Sequence, residues 1–259
     1  MIDYLAKGFL YFDNAGFIFP LMIIGFIWFD RKMFYHAISL ILLCILVNIA
    51  LKISFQVPLS PSLHQVGFAF PSGHMQLATT LYLWFALQVK NKWFRAAILI
   101  LLSGIGWGTI YFGYHDVFDI MGAVLFALLL LFFYCYVDLK WPEKLPCMLL
   151  ILATLLLIYI NIRMPMANVW KGFYGLWGLI IAEQIANRKK AANCRSHKLL
   201  ATFLFIFGAA LIFLFFRNMP GFEQAAYIFQ IKWLLIGLLL PSVNGWATGL
   251  LNHLSRQKV

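Results

Sequence analysis

The sequence predicts an all-α, polytopic membrane protein with about nine transmembrane helices. Of its 259 residues, 63% are hydrophobic and 11% are charged, and the mean hydropathy is +0.87. A soluble globular domain is about 45–50% apolar and about 25% charged. A chain this apolar is therefore expected to lie in a lipid bilayer.

Nine apolar segments have roughly the length that a helix needs to cross a bilayer. They lie near residues 15–29, 33–51, 74–89, 96–113, 117–137, 146–162, 170–187, 199–216 and 227–248. Residues 1–14 are expected to form an N-terminal interfacial segment. Most connectors are short, and the exception is 52–73, which contains prolines and serines.

The positive charges predict the orientation of these segments. The net charge is +11, but the basic residues form short clusters between apolar segments and no basic face, so nucleic-acid binding is not predicted. Fourteen of the 20 Lys and Arg residues fall in alternate connectors on one side: Arg31, Lys32, Lys90, Lys92, Arg95, Lys140, Lys144, Arg188, Lys189, Lys190, Arg195, Lys198, Arg256 and Lys258. Positive charge favours the cytoplasm, so we expect the N-terminus outside and the C-terminus inside a bacterial inner membrane.

Two histidines are predicted to meet at the non-cytoplasmic face. One helix leads inward from His74 and the next leads outward to His115, and each leg of about 24–27 Å matches the hydrocarbon thickness. His115 and Asp119 are spaced i, i+4 and share a face if a helix begins there. A carboxylate in this position can fix one ring nitrogen as N–H and leave the other as a nucleophile or base.

The residues before His74 suggest an anion site. Ser72 can cap the helix, Gly73 lets a ligand approach the backbone, and free N–H groups at a helix start favour negative charge. Each of these features alone is common in ordinary packing. Their combination on one membrane face suggests a phosphate site.

These motifs resemble those of the type 2 phosphatidic acid phosphatase (PAP2) superfamily, which run K-x6-R-P, P-S-G-H and S-R-x5-H-x3-D. P-S-G-H is complete at Pro71–His74, H-x3-D is complete at His115 and Asp119, and Lys52 matches the first lysine. The resemblance covers about residues 52–123. It implies a membrane phosphatase or phosphotransferase that needs no cofactor or metal.

The resemblance also implies an organisation and a role for each residue. Residues 15–140 would form the PAP2-like catalytic core, and 141–259 a C-terminal extension of about four transmembrane helices. His115 would be the nucleophile, oriented by Asp119, and His74 the general acid. The non-bridging phosphoryl oxygens would be bound by Lys52, Ser72 and Gly73.

Both motif arginines are absent from this chain. The first falls at Leu59, or at Ser60-Pro61 with a one-residue insertion, and the Ser-Arg of the third motif falls at Gly108-Thr109. A phosphomonoester dianion needs compensating charge. Arg163 and Lys171 are therefore predicted accessory cations, unless the substrate is a singly charged phosphodiester.

Three functions stay open on this sequence. The first is a phosphatase or phosphotransferase acting on a phosphorylated lipid at the outer face. The second is a phosphodiester headgroup transferase that resembles the sphingomyelin synthases, and the third is a non-catalytic lipid-binding protein. Membrane lipids are the expected partners in each case. The nine-segment arrangement is also similar to that of the glucose-6-phosphatases, so a soluble sugar phosphate remains an alternative substrate.

Overall fold

The computed structural model describes residues 1–59, 67–166, 168–186, 195–217 and 230–256. Within these ranges the chain forms α-helices and no strand, which confirms the predicted all-α class. The helices are α1 (Ile2–Tyr11), α2 (Ala15–Trp28), α3 (Arg31–Phe55), α4 (Gly73–Gln88), α5 (Lys92–Tyr111), α6 (Val117–Lys140), α7 (Leu145–Arg163), α8 (Val169–Ala186), α9 (Arg195–Arg217) and α10 (Lys232–Arg256). Each of the nine predicted segments corresponds to one of α2 to α10.

The predicted number of about nine membrane spans is not confirmed. Among the described helices, α3, α5, α6, α7 and α9 are long and apolar enough to cross a membrane. The pair α1 and α2, bent by 41° at its break, makes a sixth if it counts as one span. With 16 residues, α4 is shorter than a typical span. Several apolar helices of this kind are consistent with an integral membrane protein, and the orientation stays a prediction.

The chain divides into two compact units. The first comprises Met1–Met22 and Met33–Pro165, and the second comprises Ile23–Lys32 and Met166–Val259. The structure therefore groups α7 with the first unit, whereas the sequence-based division assigned it to the C-terminal extension. The functional boundaries at residues 14 and 140 stay predictions.

In the first unit, α4 packs against α5 and α6, and α1 packs against α5. A tight turn connects α4 to α5, because Arg95 Nε donates to Ala86 O at 2.9 Å and the Asn91 side chain caps α5 by accepting from Trp93 N. This turn returns the chain along α4, so the start of α4 and the end of α5 lie at the same end of the unit.

A buried polar and aromatic cluster holds the opposite end of the first unit. His36 Nδ1 lies 2.7 Å from Tyr134 Oη, and Trp84 Nε1 donates to Met33 O at 3.0 Å. The rings of His36, Trp84 and Tyr134 contact one another. The cluster fixes the start of α3 against the ends of α4 and α6. The end of α3 and the starts of α4 and α6 therefore lie together at the other end of the unit.

In the second unit, α10 packs against α8 and α9. The approach of α8 to α10 is so close that a Cβ on Gly178 or Gly237 would overlap backbone atoms of the other helix. Arg31 and Glu183 form an ion pair at 2.7 Å, which satisfies the buried carboxylate of α8. Among the described residues of the second unit, these glycine contacts and this ion pair join its helical segments.

Candidate active site

His115 and Asp119 form the centre of the candidate site. His115 Nδ1 lies 2.9 Å from Asp119 Oδ2, and the two side chains are 10% and 6% exposed. A carboxylate can only accept, so Nδ1 carries the proton and donates it to Asp119. The other ring nitrogen, Nε2, is left with its lone pair.

A capping box at the start of α6 positions this carboxylate. Asp119 N donates to Asp116 Oδ1 at 2.8 Å, and Asp116 N donates to Asp119 Oδ2 at 3.3 Å. Asp119 Oδ2 therefore accepts from both the His115 ring and the Asp116 backbone. These two donors stabilise the charged carboxylate and fix its orientation.

The P-S-G-H turn is joined directly to this pair. Ser72 N donates to the backbone oxygen of Asp119 at 3.2 Å. The Ser72 side chain is fully buried and caps α4 by accepting from Met75 N at 3.5 Å. The second and third motifs, far apart in the sequence, thus meet at the starts of α4 and α6.

His74 and Lys52 lie beside the His115–Asp119 pair. His74 is the second residue of α4 and is exposed, and it is close enough to His115 and Lys52 for their charges to interact. Lys52, in the last turn of α3, interacts electrostatically with Asp119 in the same way. Its ammonium group donates to the backbone oxygens of Phe68 and Ala69, and an ammonium group has three donors. One Lys52 N–H can therefore still reach a ligand.

Asn48 holds the glycine turn in place. Its Nδ2 donates to Pro71 O at 3.2 Å and to Gln76 Oε1 at 2.8 Å. A Cβ at Gly73 would stand 3.0 Å from Asn48 Oδ1, closer than ordinary contacts allow. Glycine at position 73 therefore permits the close approach of a side chain of α3, and a larger residue would have to displace the Asn48 amide.

Phe70 anchors the same turn to α6. A Cβ at Gly122 would overlap the Phe70 ring, so the ring lies directly over the α6 backbone three residues beyond Asp119. Phe70 also contacts the rings of Phe55 and Phe126. Through these contacts, α3, the P-S-G-H turn and α6 pack together beside the two histidines.

The predicted accessory cations fall in different units. The Arg163 guanidinium lies 6.0 Å from the centroid of the Tyr159 ring, and Tyr159 Oη is 2.8 Å from Ser54 Oγ at the end of α3. Arg163 therefore lies at the same end of the first unit as Lys52. Lys171 lies in α8 of the second unit, and its accessory role stays a prediction.

The positions of the absent arginines have ordinary structural roles. Leu59 N donates to Gly67 O at 3.1 Å in a short antiparallel pairing, and Ser60 and Pro61 fall outside the described residues. Thr109 is buried, and its hydroxyl donates to Ile105 O at 2.8 Å. Neither Leu59 nor Thr109 offers a charge to a ligand.

Sequence reasoning missed Asn48 and Phe70. Asn48 is a polar residue inside an apolar segment, one helical turn before Lys52, and that signal was readable in the sequence. Phe70 carried no such signal, because its role depends on the distant Gly122.

A family comparison covers the region that carries this geometry. The family model of the PAP2 superfamily matches residues 37–143, a span that includes Lys52, the P-S-G-H turn and the His115–Asp119 pair. No curated protein and no solved structure shows significant similarity to the chain. The segment that holds the candidate active site is therefore similar to the PAP2 superfamily, which supports the membership of the chain in that superfamily.

Proposed function

We propose that this membrane phosphatase-type protein is a lipid phosphatase or phosphotransferase that works through a phosphohistidine intermediate on the non-cytoplasmic face. The observation that carries the proposal is the hydrogen bond from Ser72 N to Asp119 O, beside the His115–Asp119 pair. This hydrogen bond holds the start of α4, where free N–H groups favour an anion, next to the oriented imidazole of His115. PAP2 proteins are generally phosphatases or phosphotransferases, which supports the same reaction class.

In the first half-reaction, His115 Nε2 attacks phosphorus. The P–N bond forms, the P–O bond to the lipid alcohol breaks, and His74 gives its proton to the departing oxygen. Asp119 stabilises the positive charge that the His115 ring acquires. The phosphoryl group is then held on His115 and the lipid alcohol is free.

In the second half-reaction, water or another alcohol attacks the phosphohistidine. Its proton goes to His74, now neutral, as the new P–O bond forms and the P–N bond breaks. Lys52 and the amides of Gly73 and His74 are suited to the non-bridging oxygens, since the first N–H groups of a helix have no partner within it. The cycle returns both histidines to their starting states.

A lipid substrate suits the position of the site at the helix ends. The site lies where α3 ends and α4 and α6 begin, and α3 and α6 are long apolar helices. A phosphate group bound there would sit at headgroup depth while its hydrocarbon tail stays in the bilayer. A soluble sugar phosphate has no hydrocarbon tail, so it would gain no binding energy from the bilayer.

The test is phosphate release from a lipid phosphomonoester by the purified protein in detergent. We expect turnover by the wild type and none by His115→Ala, with a radiolabelled phosphoryl group trapped on the wild-type protein after an acid-free quench. His115→Ala that retains full turnover would refute the mechanism. Transfer of label to a second lipid alcohol would identify phosphotransferase activity.

A phosphodiester headgroup transferase is the second candidate, and the absence of the two motif arginines favours it. With neither Leu59 nor Thr109 supplying charge, a singly charged diester is easier to bind than a dianion. If the substrate is a monoester, Arg163→Ala or Lys171→Ala should weaken its hydrolysis nearly as much as Lys52→Ala. If it is a diester, the Arg163 and Lys171 variants should be mild and diester lipids should outcompete monoesters.

The remaining alternative is a lipid-binding protein without catalysis. It predicts no turnover of either substrate class, together with retained lipid binding by His115→Ala. The same label-transfer and release assays therefore separate all three functions.

A further inference from the structure

Helix α1 is fixed on α5 in an antiparallel arrangement. Tyr111 Oη donates to Asp3 Oδ1 at 2.6 Å. A Cβ at Gly108 would stand 3.2 Å from Ala6 O, and a Cβ at Gly104 would overlap the Phe9 ring. The start of α1 therefore lies at the end of α5, near the loop that leads to His115.

This docking uses the position where the family motif has its Ser-Arg pair. Gly108 occupies the serine position, and its lack of a side chain makes room for Ala6 and Leu10 of α1. Thr109 occupies the arginine position, with its hydroxyl satisfied within α5. The charge that the motif would supply is absent from α5, and α1 lies against that part of the helix.

A cavity of about 230 Å³ opens between α1 and the loop before His115. It is lined by Lys7, Leu10, Tyr11, Asn14, Phe112 and Tyr114. Leu10 joins the two features, because it lines the cavity and also contacts the Gly108 position. Phe112 and Tyr114 stack on each other and directly precede the nucleophile candidate His115.

The chemistry of the lining favours an anion. Lys7 is the single charged residue among the six, it is exposed, and no carboxylate shares the cavity. Two phenol groups and an asparagine supply further polar atoms. A pocket for a whole drug-sized ligand is about 300–1,000 Å³, so this volume suits a phosphate-sized group with water.

We propose that this cavity is an oxyanion subsite in which Lys7 binds a phosphate-class group of the substrate and replaces charge missing from α5. The proposal rests on the proposed function for its biological ligand. It assigns α1 a part in substrate recognition, since Lys7 belongs to that helix and lines the cavity. The shared chemistry is a phosphate oxyanion, whether it belongs to a lipid headgroup or to free phosphate.

The experiment measures binding, so it does not depend on turnover. Thermal stability of the purified protein is followed against inorganic phosphate at constant ionic strength, in wild type, Lys7→Ala, Lys7→Arg and Lys92→Ala. Lys92 is the matched control, because it is an exposed lysine at the opposite end of α5. A ligand that binds the folded state raises the melting temperature according to its affinity.

We expect phosphate to stabilise the wild type and Lys92→Ala equally. Lys7→Ala should raise the apparent Kd for phosphate about tenfold, the loss typical of one charge-assisted hydrogen bond, and Lys7→Arg should keep most of the affinity. The same titration with vesicles that contain phosphatidic acid distinguishes a headgroup from free phosphate. Equal binding by Lys7→Ala and wild type in both titrations would overturn the subsite.

Kinetics then separate this proposal from the proposed function. On a lipid phosphomonoester, Lys7→Ala should raise KM with a smaller change in kcat, while His115→Ala removes turnover. A wild type that binds phosphate through Lys7 but releases none from lipids would refute the proposed function and keep the subsite. Unchanged KM and unchanged binding in Lys7→Ala would refute the subsite and keep the function.

Discussion

Asp119 determines which nitrogen of His115 is free to react. Asp119→Asn removes the charge that stabilises the imidazolium and replaces one of the two carboxylate oxygens by an NH2 donor, so the ring is no longer held in one tautomer. We expect kcat to fall by about 10²–10⁴-fold, as in other oriented imidazoles, with little change in KM. Steady-state kinetics on a lipid phosphomonoester measure both constants.

Asp116→Asn is the matched control for this substitution. Its Oδ1 can still accept from Asp119 N, so the cap on α6 persists. We expect activity within a few-fold of wild type. Equal losses in both variants would mean that the cap matters and the imidazole orientation does not.

Asp13 presents a different single-residue problem. It lies between α1 and α2, is 6% exposed, and its Oδ1 has no hydrogen-bond partner in the part of the chain that the structure describes. Burying a carboxyl group with an unsatisfied oxygen is destabilising, and the Asn amide cannot become a buried charge, so Asp13→Asn should keep or raise the melting temperature. Differential scanning fluorimetry checks this, and a loss above about 1 kcal/mol would show that Asp13 binds a partner as an anion.

The site was partly predictable because its chemistry is local. The spacing of His115 and Asp119 predicted that they lie close together, and the structure has their side chains 2.9 Å apart. The predicted reason was a shared helix face, whereas His115 lies in the loop two residues before α6 begins. The contacts of Asn48 with Pro71 and Gln76 were not predictable, since they join α3 to a turn more than 20 residues away. Periodicity describes one helix at a time and carries no information on such contacts.

The turn before α4 can be tested by coupling Gly73 to Asn48. Gly73→Ala pushes a Cβ against Asn48 Oδ1 and should lower kcat/KM by up to about tenfold, because the displaced Asn48 amide then bonds less well to Pro71 and Gln76. Asn48→Ser makes room for that Cβ, so the double variant should be no worse than Asn48→Ser alone. If the losses of kcat/KM are simply additive in the double variant, Gly73 and Asn48 act independently.

The docking of α1 on α5 can be tested with two glycines. Gly104→Ala places a Cβ in the Phe9 ring and should destabilise the protein by about 1–3 kcal/mol through overpacking. Gly8→Ala, where the added Cβ has open space, should be neutral or slightly stabilising. Chemical denaturation measures both, and Phe9→Ala should suppress the Gly104→Ala defect. Equal effects of the two glycine changes would mean that α1 is not fixed on α5.

The helices themselves were predictable from apolar segment length. The predicted segment 146–162 is α7 (Leu145–Arg163), and the predicted segment 117–137 begins at the same residue as α6. The packing of α1 was not predictable, because glycines at 104 and 108 mark a close approach without naming the partner. The number of spans is not confirmed, since an apolar segment of 16 residues such as α4 forms a helix without the length of a typical span.

At the level of the whole chain, the candidate site residues are distributed unequally over the two units. The candidate site lies in the first unit, with Lys52, Ser72 and His115 all between residues 37 and 143. The second unit has its own ion pair and its own glycine contacts. Of the residues proposed for the site, the second unit supplies only the predicted accessory cation Lys171.

The orientation of the chain decides which leaflet supplies the substrate. The clusters of Lys and Arg predict that Lys190 lies in the cytoplasm and Ser62 outside, and both residues fall outside the described ranges. A reporter fused after Lys190 should therefore be active in the cytoplasm, and one inserted near Ser62 should be active on the outer side. Ser62 lies in the connector between α3 and α4, whose ends carry Lys52 and His74, so its location is also that of the site. If both reporters are active on the same side, the assignment of the site to the outer face is wrong. If the Lys190 reporter is active outside and the Ser62 reporter in the cytoplasm, the site and its lipid substrate belong to the cytoplasmic leaflet.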